Sequence, residues 1–87
     1  MKLKKQIFEA CKKGDIDEIN NLSKREVDYN YGLYGACIGK HKNVIDLMIS
    51  KGANDFMLAY MGACEGGDME IIKNIFQRIK ISAHSNE

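Results

Sequence analysis

The sequence predicts an all-α fold made of three stacked helix–turn–helix repeats, joined by short loops and without projecting β-hairpins. An Ala-Cys pair recurs at residues 10–11, 36–37 and 63–64, with spacings of 26 and then 27 residues. Each pair is followed by glycine, a short polar segment and an aliphatic run with helical spacing. Self-similarity at a period of 20–50 residues is typical of repeat proteins. Alternating strand patterns are missing, so we expect almost no β-structure.

The first helix of each repeat is expected to end at a glycine, which adopts the left-handed conformation at little cost. Lys40 stands where the other two repeats have Gly14 and Gly67. Either Gly39 takes the turn position in place of Lys40, or Lys40 adopts the left-handed conformation at a cost of about 1 kcal/mol. Asp15 and Asp68 then begin the second helices of their repeats, where an aspartate satisfies free backbone N–H groups.

These signals together predict six helices, near residues 2–13, 15–25, 30–39, 41–51, 56–66 and 68–81. We expect one domain over residues 1–81, with repeats at about 2–28, 29–54 and 55–81. Residues 82–87 are small and polar and are predicted to form a flexible tail.

Composition narrows the class of protein. Thirteen basic and twelve acidic residues leave a formal charge of +1, which argues against a dedicated nucleic-acid binder. No stretch approaches the roughly 20 apolar residues that a membrane span needs, and no apolar run typical of a secretory signal follows the first residues. Three cysteines fit neither a disulfide framework nor paired metal-binding motifs. We therefore expect an intracellular, cytoplasmic protein with reduced thiols.

Cys11, Cys37 and Cys64 occupy equivalent positions in the three repeats. Stacked helices lie about 8–10 Å apart, so these thiols are too far from one another for a disulfide or a shared metal ion. Burial as small apolar side chains is the expectation we prefer to a metal or redox role.

On these residues the chain resembles the ankyrin repeat, in the shortened, cysteine-containing form found in large DNA viruses of eukaryotes. The segments that resemble it are Gly32–Cys37, Gly52–Asp55 and Met61–Cys64. The resemblance covers residues 6–80 and places Phe8, Tyr34 and Met61 where the family commonly has histidine. Ankyrin units are about 33 residues long, and the residues missing here belong to the β-hairpin loop. The resemblance implies an ankyrin-like stack that binds proteins without projecting fingers.

In such a stack, the first helices line a concave groove, and four of their six outward positions are expected to carry little or no side chain. Those positions are Gly32, Gly35, Ala59 and Gly62. Bare backbone lets a partner approach closely, although it equally suits tighter curvature of the stack. Aromatic residues near the loops are the other partner-binding candidates, because they bury large areas at low entropic cost. The candidates for contact with a partner are Tyr29, Tyr31, Phe56, Met57, Gly32, Gly35 and Gly62.

The leading functional hypothesis is an adaptor or decoy that binds an intracellular protein, a host protein if the chain is viral. No phosphate-binding loop, nucleophile–base pair or metal-ligand spacing is found, so we expect neither enzymatic activity nor a cofactor. The alternative is a structural subunit that self-associates or packs in a larger assembly. It is suggested by the apolar surface of the last helix, which carries Met69, Ile72, Phe76 and Ile79.

Overall fold

The computed structural model describes residues 2–84, with side chains to residue 81. Its six helices are α1 (Lys5–Lys13), α2 (Ile16–Leu22), α3 (Tyr29–Gly39), α4 (Lys42–Ser50), α5 (Phe56–Gly66) and α6 (Met69–His84). The all-α prediction is confirmed: within residues 2–84 the only β-type pairing is an isolated parallel bridge between Leu3 and Val27. None of the helices in this range is long and apolar enough to span a bilayer.

All six predicted helices are present, and three of their ends were wrong. Helix α1 starts three residues late because Leu3 pairs with the loop before α3: its N–H donates to Glu26 O (2.9 Å) and its carbonyl accepts from Asp28 N (3.0 Å). Helix α2 ends at Leu22 rather than near 25. Helix α6 continues to His84, three residues beyond its predicted end. Residues 85–87 lie outside the described range.

The six helices form three consecutive pairs whose first helices pack against one another. Helix α3 lies between α1 and α5, and each first helix also packs against the second helix of its own pair. The molecule measures 37 × 27 × 18 Å. Its core runs along the three pairs and consists of apolar residues, among them Ile7, Ile19, Leu33, Met48 and Ile75.

Polar residues at the helix ends set the boundaries. The carboxylates of Asp15, Asp28, Asp55 and Asp68 each accept a hydrogen bond from a backbone N–H in the first turn of the following helix. At the turn of the second pair, Lys40 itself adopts the left-handed conformation, with φ of 61°. Gly39 does not replace it because Gly39 is packed against the neighbouring helix α1.

Candidate protein-binding site

Glycine residues bring the first helices into backbone contact. A Cβ atom built on Gly35 would lie only 2.4 Å from the carbonyl oxygen of Phe8 on α1. One pair further along, a Cβ on Gly62 would lie 2.7 Å from the carbonyl oxygen of Tyr34 on α3. Such distances are far below van der Waals contact, so only glycine fits there.

The prediction that Gly32, Gly35, Ala59 and Gly62 line an open groove was therefore wrong. All four are buried between neighbouring helices. Gly32 faces the side chains of Ile7, Cys11 and Met48. The glycines hold the helices together and are not available to a partner.

An exposed groove nevertheless lies along α1 and α3. It has a volume of 280 Å³ and is lined by Lys4, Lys5, Phe8, Tyr31 and Tyr34, which we call the aromatic groove. The rings of Phe8 and Tyr34 contact each other in a tilted arrangement, with 5.4 Å between their centroids. The three aromatic side chains are half-buried, so each leaves part of its ring accessible.

Lysine side chains surround these rings. The Lys4 ammonium lies 5.3 Å from the centroid of the Tyr31 ring, and the Lys12 ammonium lies 5.8 Å from that of Phe8. Cations at this distance are attracted by the ring face. With Lys5, they place three exposed positive charges beside an apolar surface. A ligand with an apolar anchor and nearby carboxylates complements this arrangement.

Tyr29 and Tyr31, predicted together as partner-binding residues, lie in different surroundings. Both pack against the hydrophobic core, but only Tyr31 also lines the aromatic groove, whereas Tyr29 has Lys51 above its ring at 5.6 Å. Phe56 takes the matching position in the third pair, where Arg78 lies 6.0 Å from its ring centroid. Tyr29 and Phe56 thus pack at the loop end of the core, Tyr29 beneath Lys51, which directly follows α4, and Phe56 beneath Arg78 of α6.

The third pair exposes apolar side chains. Met57, the remaining predicted contact residue, is 65% exposed on α5, and Met61 is similarly exposed. On α6, Met69 and Phe76 are exposed, as the predicted apolar surface requires, while Ile72 and Ile79 are half-buried against the core. Phe76 also contacts Tyr60 across α5 and α6.

The thiols do not share one environment. Cys11 and Cys37 are fully buried, and burial raises the pKa of each thiol to about 12. Cys64 is exposed, so the expectation that all three are buried was wrong for it. The reason is positional: α3 covers Cys11 and α5 lies against Cys37, whereas no helix among residues 2–84 follows α5 on that side. No group of metal-binding side chains converges within the described residues.

Phe8 and the lysines of the aromatic groove were not among the residues that the sequence singled out as contacts for a partner. The available signal was their register: Phe8, Tyr34 and Met61 each lie two residues before the recurring Ala-Cys pair. No family model, curated protein or solved structure matches the chain. The functional interpretation therefore depends on these residues and their geometry.

Proposed function

We propose that the chain is an ankyrin-like stack of three repeats that binds another intracellular protein through the aromatic groove. The observation that carries this proposal is the group of half-buried rings of Phe8, Tyr31 and Tyr34 beside exposed lysines. Rings that are already held in place lose little entropy on binding, which is why aromatic residues dominate protein interfaces. An adaptor or decoy needs no more chemistry than this.

The arrangement of the helices supports the ankyrin-like part of the proposal. Three helix pairs follow one another, their first helices pack in chain order, and the connecting loops are short. Small residues recur at the contacts between first helices. The loops carry no hairpin among residues 2–84, so the partner contacts the helices themselves.

The charge of the groove defines the partner further. Lys4, Lys5 and Lys12 favour a segment in which acidic residues flank an aromatic or aliphatic anchor. Because these ammonium groups are exposed, their contribution is screened by salt. Binding is accordingly expected to weaken as ionic strength rises, without disappearing, because the apolar contact remains.

Tyr31 and Tyr29 provide a matched test on one helix. The wild-type chain is used to capture binding proteins from cell extract, and the captured protein is then purified and titrated against Tyr31→Ala and Tyr29→Ala. Loss of Tyr31 is expected to weaken binding by roughly tenfold or more, the range of an interface anchor. Tyr29→Ala is expected to lower the thermal midpoint and leave the affinity of the folded protein unchanged. Equal affinities of wild type and Tyr31→Ala would contradict the proposal.

The exposed apolar surface of the third pair favours a second candidate, a structural subunit that self-associates. Met69, Phe76 and Ile81 are each about half exposed or more. Sedimentation over a range of concentrations, with Phe76→Ser beside the wild type, separates the two functions. A structural subunit forms oligomers that this substitution dissociates, whereas the binding module remains monomeric and needs a different protein as partner.

A further inference from the structure

One face of the first helices is in contact with the next first helix in the first two pairs and has no such neighbour in the third, within residues 2–84. On α1 this face carries Phe8, Cys11 and Lys12, and α3 covers it. On α3 it carries Tyr34, Cys37 and Ile38, and α5 covers it. The equivalent residues on α5 are Met61, Cys64 and Glu65. We call this surface of α5, with the neighbouring Met57, the acceptor face.

The acceptor face is more exposed than its counterparts, of which Cys11 and Cys37 are buried and Phe8 and Tyr34 half-buried. Met57 and Met61 are 65% and 63% exposed, and Cys64 is exposed as well. Cys11 and Cys37, its counterparts in the other pairs, have no exposed surface. The exposure therefore reflects a missing neighbour and not a different kind of helix.

The covered faces show what such a neighbour must look like. Helix α3 meets α1 through Gly32, Gly35 and Gly39, and α5 meets α3 through Ala59, Gly62 and Gly66. In both helices the small residues follow the spacing i, i+3, i+7. A Cβ on Gly39 would lie 2.2 Å from the carbonyl oxygen of Lys12, and one on Gly66 would lie 2.7 Å from that of Cys37. Small residues at this spacing are what permit backbone contact.

We propose that the acceptor face binds a helix of a second, different polypeptide that presents Gly, Ala or Ser at positions i, i+3 and i+7. That helix repeats the contact already made twice inside the molecule and covers Met57, Met61 and Cys64. This surface is separate from the aromatic groove and takes a different ligand: a small-residue helix rather than an acidic segment.

A second copy of this chain does not fit head to tail. The positions of its α1 that correspond to the small residues are Gln6, Glu9 and Lys13, all large, polar and exposed. These side chains prevent backbone approach and make the start of the stack a polar end. Nor do residues 69–84 fold back over the face, because α6 continues as helix past Ile79, the position equivalent to Gly52, where the turn after α4 lies.

The test uses the whole chain and a synthetic helix as probe. The probe is a helix-stabilised, fluorescein-labelled peptide with the sequence of residues 28–41, in which Cys37 is replaced by Ser. A control peptide carries Gly35→Leu and Gly39→Leu in addition. Binding is measured by fluorescence anisotropy up to about 1 mM peptide, and coverage by the rate at which iodoacetamide alkylates Cys64.

The probe is expected to bind saturably and to slow alkylation of Cys64 severalfold, and the leucine peptide to do neither. Met61→Asp in the chain is expected to abolish both effects. Met69→Asp is the matched control, since Met69 is 62% exposed but lies on α6, and it is expected to leave both unchanged. Tyr31→Ala is likewise expected to leave probe binding intact, which separates this surface from the aromatic groove.

Three results would overturn the proposal. The first is no protection of Cys64 at about 1 mM probe. The second is equal protection by the leucine peptide, which would show nonspecific apolar adhesion. The third is a wild-type dimer in sedimentation that Met61→Asp dissociates, because a second copy of the chain would then cover the face.

Discussion

The two junctions between neighbouring first helices, α1–α3 and α3–α5, share their centre and differ at their edges. In both, glycines rest on the carbonyl oxygens of the preceding helix. At the edge next to the loops that join one pair to the next, the first junction has the backbone bridge between Leu3 and Val27. The second has the Asn30 side chain, whose Oδ1 accepts from Asn54 N (2.8 Å) and Asp55 N (3.0 Å).

The junctions also differ at their other edge, next to the turns that join the first and second helices of each pair. In the first junction, Nε2 of His41 lies 3.1 Å from Lys12 O, at the end of α1. In the second, an exposed ion pair joins Lys42 to Glu70, and the hydrogen bond to Glu70 raises the pKa of Lys42. The helix spacing thus depends on close backbone contact, while different side chains suffice to connect the edges. Substitutions at the centre should therefore have larger effects than those at an edge.

The largest loss is expected for Gly35→Ala in the first junction. Its Cβ would lie 2.4 Å from Phe8 O, so two backbones must separate, and we expect a cost of about 3 kcal/mol or more. That corresponds to a fall in thermal midpoint of roughly 12 °C or more, measured by circular dichroism. Gly62→Ala, at 2.7 Å, is expected to cost somewhat less.

Gly67→Ala is the control for the backbone freedom of glycine without any close contact to a neighbouring helix. Gly67 has φ of 79° and no neighbour within 4 Å of an added Cβ, so only the left-handed penalty of about 1 kcal/mol is expected. If Gly35→Ala were no more harmful than Gly67→Ala, the central role of backbone contact would be refuted.

Thiol reactivity compares the junctions with the open acceptor face. At pH 8, Cys64 is expected to react rapidly with a disulfide reagent, and Cys11 and Cys37 about 100-fold more slowly. The two buried thiols become accessible only when the structure opens locally, at a free-energy cost of about 3 kcal/mol. Their pKa of about 12 in the folded state lies above the ordinary value of 9.0, so unfolding becomes easier as pH rises from about 9 towards 12. Three thiols of equal rate in the native protein would contradict the burial.

Asn30→Ala tests one edge. The substitution removes the acceptor shared by the N–H groups of Asn54 and Asp55, and we expect a loss of about 1–2 kcal/mol in the free energy of unfolding by urea. Asn43→Ala, exposed on α4, is the matched control and should change stability little. A loss at Asn30 as large as that of Gly35→Ala would mean that the edges matter as much as the centre.

The smallest effect is expected for Lys40→Gly, and it is a gain. Lys40 has φ of 61° at the turn where the other two pairs have glycine. Relief of the left-handed penalty, reduced by the greater freedom of glycine in the unfolded chain, should stabilise the protein by about 0.5–1 kcal/mol. Urea midpoints of the two proteins measure it, and destabilisation would show that the Lys40 side chain makes a contact of its own.

The helix pairs were predictable because they depend on local signals: Gly14 and Gly67 at the turns, and aspartates at the helix starts. The predictions that were wrong concern contacts with neighbouring elements of the structure. Leu3 was included in α1 because nothing local shows its pairing with Val27, and Cys64 looks like Cys37 until one asks whether another helix follows. The buried glycines were misplaced for the same reason, since spacing identifies a face of a helix but not which helix it meets.

Because the junctions are formed by glycine on carbonyl oxygen, the exposed lysines of the aromatic groove contribute little to the shape of the stack, whereas Phe8 and Tyr34 also lie at the junctions. Tyr31, Lys4 and Lys5 can then be exchanged for other residues while the path of the backbone is kept. The protein should accordingly tolerate randomised libraries at these positions, and new binders could be selected on an unchanged scaffold.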